Sequence, residues 1–382
     1  MLDRLVKLLT SLRLTVVLLC LGLLLVFTGT LAQVHEGLYQ AQTRYFKSWF
    51  IWQPTIGDSK WPIVLPGGYL LGTLLLANLL AAHATRFKFT WKKLGIFLTH
   101  IGVVSLLVGQ LLTDVLSSES AMRLSEGEAK NFSQDFRNNE LVVIDTTDPQ
   151  RDEVVSIPER MVANRKEIRA ESLPFALRLL HYWPNAALSR QPADNSVPAR
   201  ATMGVGPGLH IVPLPPTTST DERNLPAAVL ELVTPQGSLG SWLVSCELGA
   251  KQEFTCGNRT YQFALRFKRY YKPFSLELLR FTHEKYRGTD IPKNFASRVR
   301  IERPETGENR EVLIYMNNPL RYNGETYYQA GFDEKDSRVT ILQVVRNPGW
   351  LTPYFACGLV ALGLVIQFLI HLVGFAMKWR TA

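Results

Sequence analysis

Apolar residues gather in four long blocks rather than spreading evenly along the chain. Uncharged windows run from Leu14 to His35, Trp61 to Thr85, Leu94 to Thr113 and Asn347 to Met377. Each contains an apolar run long enough, at ~1.5 Å of rise per residue, for a helix to cross a ~30 Å hydrocarbon layer. Between the third and fourth blocks the period changes. From about Asn131 to Gln343, short runs such as ELVVID, TYQFALRFKRYY, SRVRIE and EVLIYM alternate at period two, with turn residues between them. Such alternation marks half-buried strands. The pattern predicts an α-helical membrane protein with four transmembrane helices and one large, mainly antiparallel β domain. Residues 1–115 form a membrane region with spans at about 14–34, 68–85 and 94–114. Residues 116–346 form the β domain, and 347–382 the last span with a short tail. Within the β domain, 190–220 is rich in Pro, Ser and Thr and reads as a long loop.

The first block could be a cleaved signal peptide, with Thr30-Leu31-Ala32 as a loose cleavage site. An uncleaved helix is the better expectation, because further spans follow. Residues 36–66 are crowded with aromatics (Tyr39, Tyr45, Phe46, Trp49, Phe50, Trp52 and Trp61). The plain reading is a belt of rings at the membrane–water boundary. One wall of a porphyrin-sized pocket is the sharper alternative. The strand-like runs Pro174–Leu180 and Pro273–Leu279 resemble one another, as two related β halves or two unrelated strands would.

A net charge of +9 raises the question of a nucleic-acid partner, which the placement of the charge answers. Arg4, Lys7, Arg13, Arg86, Lys88, Lys92, Lys93, Lys378 and Arg380 all fall on one side of the four blocks, against Asp3 alone. Basic residues collect on the cytoplasmic side of a membrane. The excess is therefore a topology signal and not a nucleic-acid footprint. It places both termini and the 86–93 loop in the cytoplasm, and the 34–60 loop and β domain on the extracytoplasmic side. The expected location is a bacterial cytoplasmic membrane.

One ionisable side chain, His100, lies inside the third block. Polar groups are costly in lipid, so an imidazole there is a functional candidate by default. A ring merely hydrogen-bonded between helices is the alternative. His100 is seven residues past Lys93, about 10 Å along a helix, and so in the inner leaflet. Gly95, Gly102 and Gly109 recur every seven residues and form a seam for another helix. His100 is turned about 200° from Gly102 and points elsewhere. His371 precedes Lys378 by seven residues, which predicts a depth similar to that of His100 and makes it a weaker ligand candidate. His83, three residues before Arg86, reads as a solvated interfacial histidine and is also a weaker candidate. His283, in FTHEKY, is a weaker ligand candidate still, and His35, His181 and His210 read as ordinary surface or strand residues.

Cys20 and Cys357 fall within spans and read as small apolar groups. Cys246 and Cys256 share the β domain, where a bridged hairpin makes them a disulfide candidate and two reduced thiols are the alternative. The chain contains no CxxC or CxxCH, which argues against a thioredoxin-type site and against covalently attached haem. No outer cluster of His, Cys and carboxylates has metal or nucleophile spacing, so an autonomous enzyme lacks support.

Several features together resemble the ResB-like cytochrome c biogenesis proteins. They are three spans, a large β domain and a fourth span; Thr99-His100-Ile101-Gly102; and the exit Leu124-Ser125-Glu126-Gly127. The strongest are Asn317-Asn318-Pro319-Leu320-Arg321-Tyr322-Asn323-Gly324 with Tyr327-Tyr328-Gln329, and Asn347-Pro348-Gly349-Trp350. The resemblance covers nearly the whole chain, except about 140–250. It implies that His100 is an axial ligand to haem b, held transiently and without a covalent bond, opposite a histidine of a tryptophan-rich multi-span partner. It also implies delivery of haem to CxxCH apocytochrome c, with a thiol-reducing, thioredoxin-like helper. No WGxxWxWD-like run is present, so the resemblance makes this chain an accessory subunit, not catalytic alone, of a haem-lyase-type complex. The rival reading is a membrane-anchored scaffold or receptor whose β domain binds protein partners without handling haem. NNPLRYNG itself reads as a tight turn whose Asn and Gly supply unusual backbone angles.

Overall fold

The computed structural model describes residues 2–381 except 54, 57–58, 61–62, 218–221, 250, 286–287, 289–291 and 334–335. Trp61 of the aromatic loop thus lies outside the described residues. The chain divides into two units, Met1–Ser118 with Arg346–Ala382, and Glu119–Thr217 with Asp221–Val345.

The first unit holds four helices long and apolar enough to cross a membrane: Leu12–Glu36, Gly68–Arg86, Leu94–Leu116 and Thr352–Thr381. They are the first to fourth apolar helices below. A short helix, Leu2–Leu9, precedes the first. The break between them leaves the carbonyl of Leu9 without a helical partner. Asn78 of the second helix fills that gap from a buried position, donating through Nδ2 to Leu9 O at 2.6 Å and Ser11 O at 3.3 Å. Its Oδ1 accepts from Thr15 Oγ1 at 2.6 Å.

Leu18, Leu25 and Ala32 of the first helix pack with Leu71 of the second, and with Tyr45 and Ile51 of the intervening segment. That segment is not a uniform belt of rings. Leu38–Ala41 is helical, Gln42–Phe46 is a π-turn, and Phe50–Trp52 pairs antiparallel with Val64–Pro66. Tyr45 is fully buried, whereas Tyr39, Trp49, Phe50 and Trp52 are exposed.

The third and fourth helices run antiparallel along the glycine seam. Gly95, Gly102 and Gly109 are the buried residues of the third helix. A Cβ on Gly95 would lie 2.4 Å from Gly363 O. On Gly102 it would meet Val360 Cγ2 at 2.5 Å, and on Gly109 Thr352 Cγ2 at 2.4 Å. Backbones this close exclude any side chain, as small-residue interfaces in membranes require.

In the second unit the central pairings are antiparallel: Arg259–Lys285 with Ala129–Asp145 and with Pro292–Arg303. A ten-stranded sheet is built around Ala129–Asp145 and the 27-residue strand Arg259–Lys285. The long strand serves two cores. Tyr261, Phe263 and Leu265 join Leu141, Val143, Leu230 and Trp242 in one. Phe274, Leu276 and Leu278 join Met122, Val299, Ile314 and Tyr327 in the other. Between these stretches the register with Ala129–Asp145 slips after Phe267 and again between Tyr271 and Leu276. Pro273, with no N–H to give a ladder, sits in the second slip.

The resembling stretches divide between the cores: Phe175 and Leu177 lie in the first, Phe274 and Leu276 in the second. Strand Ala176–Trp183 belongs to a separate four-stranded sheet. Segment 190–220 is less irregular than its composition predicts. Val197–Pro198 and His210–Pro213 pair in a small sheet with Ala186–Ser189, covering Ile211, Ala199 and Ala201. In NNPLRYNG, Asn317, Asn323 and Gly324 take φ of 62°, 51° and 76°. Asn323 and Gly324 form the two-residue turn joining Leu320–Tyr322 to Glu325–Phe332, the sequence preference of such hairpins.

Candidate functional site

The site begins with the seam. Because the glycine face of the third helix is committed to the fourth helix, His100 on another face is free to meet something else. It meets His83. His100 Nδ1 lies 3.1 Å from His83 Nε2, with ring centroids 4.7 Å apart and planes at 85°. The other nitrogen of His83, Nδ1, lies 3.0 Å from Leu79 O, one turn back on its own helix. Phe87 stacks on His83 at 4.8 Å, and Phe97 of the third helix stacks on Phe87 at 5.8 Å. Lys93 Nζ stands 6.0 Å from the Phe87 ring centre. Thr99, beside His100, turns its hydroxyl back to Gly95 O at 2.9 Å.

The tautomers follow from which atoms can donate. A carbonyl oxygen only accepts, so His83 Nδ1 carries a proton toward Leu79 O. In a neutral ring, His83 Nε2 is then a lone pair and accepts from His100 Nδ1–H. That leaves His100 Nε2 unprotonated. It makes no hydrogen bond among the described residues, and it is not sealed inside the helices, since the ring is only half-buried. The pair therefore presents one free basic nitrogen.

The reading of His83 as a solvated interfacial residue is corrected by this contact. So is the placement of His371. Val360 lies level with Gly102, and His371 is eleven residues further along the fourth helix. By helical rise it sits about 13 Å deeper toward the basic end than His100. The error came from taking Lys378 as the membrane boundary, whereas the helix continues to Thr381. His371 is exposed and meets Gln367 of its own helix at 3.0 Å. His283 is in the other unit, between Phe295 and Phe332 at 4.9 and 4.3 Å.

Two further features lie in the first unit. An apolar groove of about 690 Å³ opens beside Val104, Val108, Leu351, Tyr354 and Phe355. Val104 is one turn from His100 toward the opposite end of the helix. Near that end Asp114 is held by Tyr69, which donates its hydroxyl, and by an ion pair with Lys47. Both partners went unread in the sequence, although a carboxylate ending an apolar helix called for a cation nearby.

In the β unit Cys246 and Cys256 are free thiols, not the bridged hairpin predicted. Cys256 closes a different hairpin, opposite Arg259, and Cys246 follows the strand Gly237–Ser245. Both pack against the first core. Burial, then the neighbouring Glu159, pushes the Cys246 thiol up to about 12. Its Sγ donates to Asn139 Oδ1 at 3.5 Å. A polar cavity of about 490 Å³ nearby is lined by Asn139, Glu140, Ser156, Glu159 and Tyr182, whose polar groups largely satisfy one another. Among the described residues, no group of three or more His, Cys, Asp or Glu could hold a metal ion.

Comparison with known proteins shows the resemblance read from the sequence. Residues 240–341 match the model of the ResB-like family, about a quarter of the chain and wholly within the β unit. Over 305 residues, 78% of this chain, the sequence is 26% identical to Protein NrfI of Wolinella succinogenes. The chain spans only 29% of the length of that relative.

Proposed function

We propose that this ResB-like chain is a membrane subunit of a cytochrome c biogenesis system, receiving haem at His100 and presenting it with a second membrane protein. The observation that carries the proposal is the unbonded Nε2 of His100, half-buried on a helix long enough to cross the membrane. When bound, haem supplies an iron that takes neutral imidazole as an axial ligand. His100 Nε2 is the atom suited to it. His83 would not hold the iron as well, because both its nitrogens are already bonded. The second ligand then comes from outside this chain, which is the role assigned to a tryptophan-rich partner.

One ligand from each subunit suits cargo that must be released, because a relative shift of two helices ends the coordination. The basic residues of both termini and of the 86–93 loop support a cytoplasmic position for those segments, and so an extracytoplasmic one for the β unit. There it stands where apocytochrome c and a thiol-reducing helper would act. Co-expression with such a partner tests the reading. Haem should copurify with the wild-type complex and fall sharply with His100→Ala. Unchanged haem content and unchanged cytochrome maturation would leave the membrane-anchored scaffold as the account.

A further inference from the structure

The contact between His100 and His83 assigns a role to the second ring. We propose that His83 is a positioning residue: it locks His100 in the Nδ1–H tautomer and so turns a bare Nε2 outward as the donor atom. The inference rests on the reading of His100 as a haem ligand and deepens it.

Two hydrogen bonds form the relay. Leu79 O can only accept, so it fixes the proton of His83 on Nδ1, 3.0 Å away. His83 Nε2 is thereby an acceptor, and at 3.1 Å it fixes the proton of His100 on Nδ1. The backbone of one helix thus dictates, through one ring, which nitrogen of a ring on another helix stays free. Phe87, stacked on His83 at an interplanar angle of 25°, holds the relay ring in its plane. Histidine ligands commonly donate their second N–H to an acceptor that sets ring orientation and raises basicity. Here the acceptor is a neutral imidazole instead of a carboxylate. It orients the ligand without adding a negative charge, which suits a site that gives its cargo up.

The test uses the full-length chain, labelled with ¹⁵N-histidine, in lipid nanodiscs without haem. His100 ring signals are assigned by their loss in His100→Ala. Wild type is expected to have His100 protonated at Nδ1 and bare at Nε2. His83→Phe keeps the stack on Phe87 but removes the acceptor, and should mix the two His100 tautomers. His83→Gln, whose amide oxygen can accept the same proton, should restore the wild-type signal. In parallel, titration with ferric haem should give a Kd weakened by about 10–100-fold in His83→Phe and recovered in His83→Gln. A wild-type His100 protonated at Nε2 overturns the proposal, and this spectrum decides it even if a variant fails to fold. An unchanged tautomer and unchanged haem affinity in His83→Phe overturn it too. Should His100→Ala bind ferric haem as tightly as wild type, the haem reading falls, whereas the haem-free spectra still judge the relay.

Discussion

Replacing Gly95 by alanine puts a methyl group where the fourth helix already is. The new Cβ would lie 2.4 Å from Gly363 O and 2.6 Å from Gln367 N, against an ordinary contact of 3.4 Å or more. Both obstacles are backbone atoms, so no side chain can swing aside. The helices must part locally by about 1 Å, and a radial gap of ~0.5–1 Å forfeits roughly a quarter to a half of each dispersion contact it opens. Helix association in a membrane depends on such packing, since lipid is as apolar as the partner helix. Overpacking of this kind costs ~1–3 kcal/mol, and the rigidity of the obstacle favours about 2. Gly22 of the first helix is the control, because a Cβ there meets nothing within 4 Å. Alanine is the better helix former by about 1 kcal/mol, so Gly22→Ala should be neutral or stabilising. Reversible unfolding of the full-length protein by SDS in mixed micelles, followed by circular dichroism, measures both. Equal stabilities for the two variants would refute the seam as the element that holds the helix carrying His100.

Asn78→Leu strands the Leu9 carbonyl at the break before the first apolar helix and should destabilise by ~1–2 kcal/mol in the same SDS titration, with Asn78→Gln partly restoring stability. Cys246 and Cys256 should give no mobility difference between reducing and non-reducing gels. Maleimide should leave Cys246 unlabelled at pH 8 until the protein is unfolded, because the thiol is held protonated. In the β unit Asp135 is buried, which alone would raise its pKa. Hydrogen bonds from Arg137 N, Asn138 N and Tyr270 hold it instead below the usual 3.8. A depressed carboxyl stabilises the fold above its unfolded value and loses that contribution as pH falls through the folded one. Wild type should therefore weaken below pH 3.8. Asp135→Asn should flatten that limb and cost ~1–3 kcal/mol at neutral pH, read from thermal unfolding across pH.

The elements that could be read from the sequence were those set by a single period or a single sterically special residue. Four apolar blocks give four helices, the period-two runs give antiparallel strands, and glycines at seven-residue spacing give the third helix a seam for another helix, which proves to be the fourth. Asn323-Gly324 announces its hairpin because few other residues accept those angles. What escaped depended on packing that no single period or spacing reports. His83 and His100 are joined by a short connection, but their depths, counted from the nearest charges, differ by more than a turn. Only the packed helices bring the rings together. Counting from Lys378 misplaced His371 for the converse reason: a lysine inside a helix can extend its amine to water, so it marks no fixed depth. The cysteines misled because ten residues of separation say nothing about which strands pair; Cys256 answers to Arg259 across its own hairpin.

The central claim is that His100 offers a nitrogen to iron, and replacing that ring by a diffusible one tests it most directly. His100→Gly, co-expressed with the proposed tryptophan-rich partner, removes the side chain. The absorption spectrum of the purified ferric complex should lose its low-spin Soret band and regain it when free imidazole is added. A His100→Gly complex with a wild-type band before any imidazole is added would contradict the account.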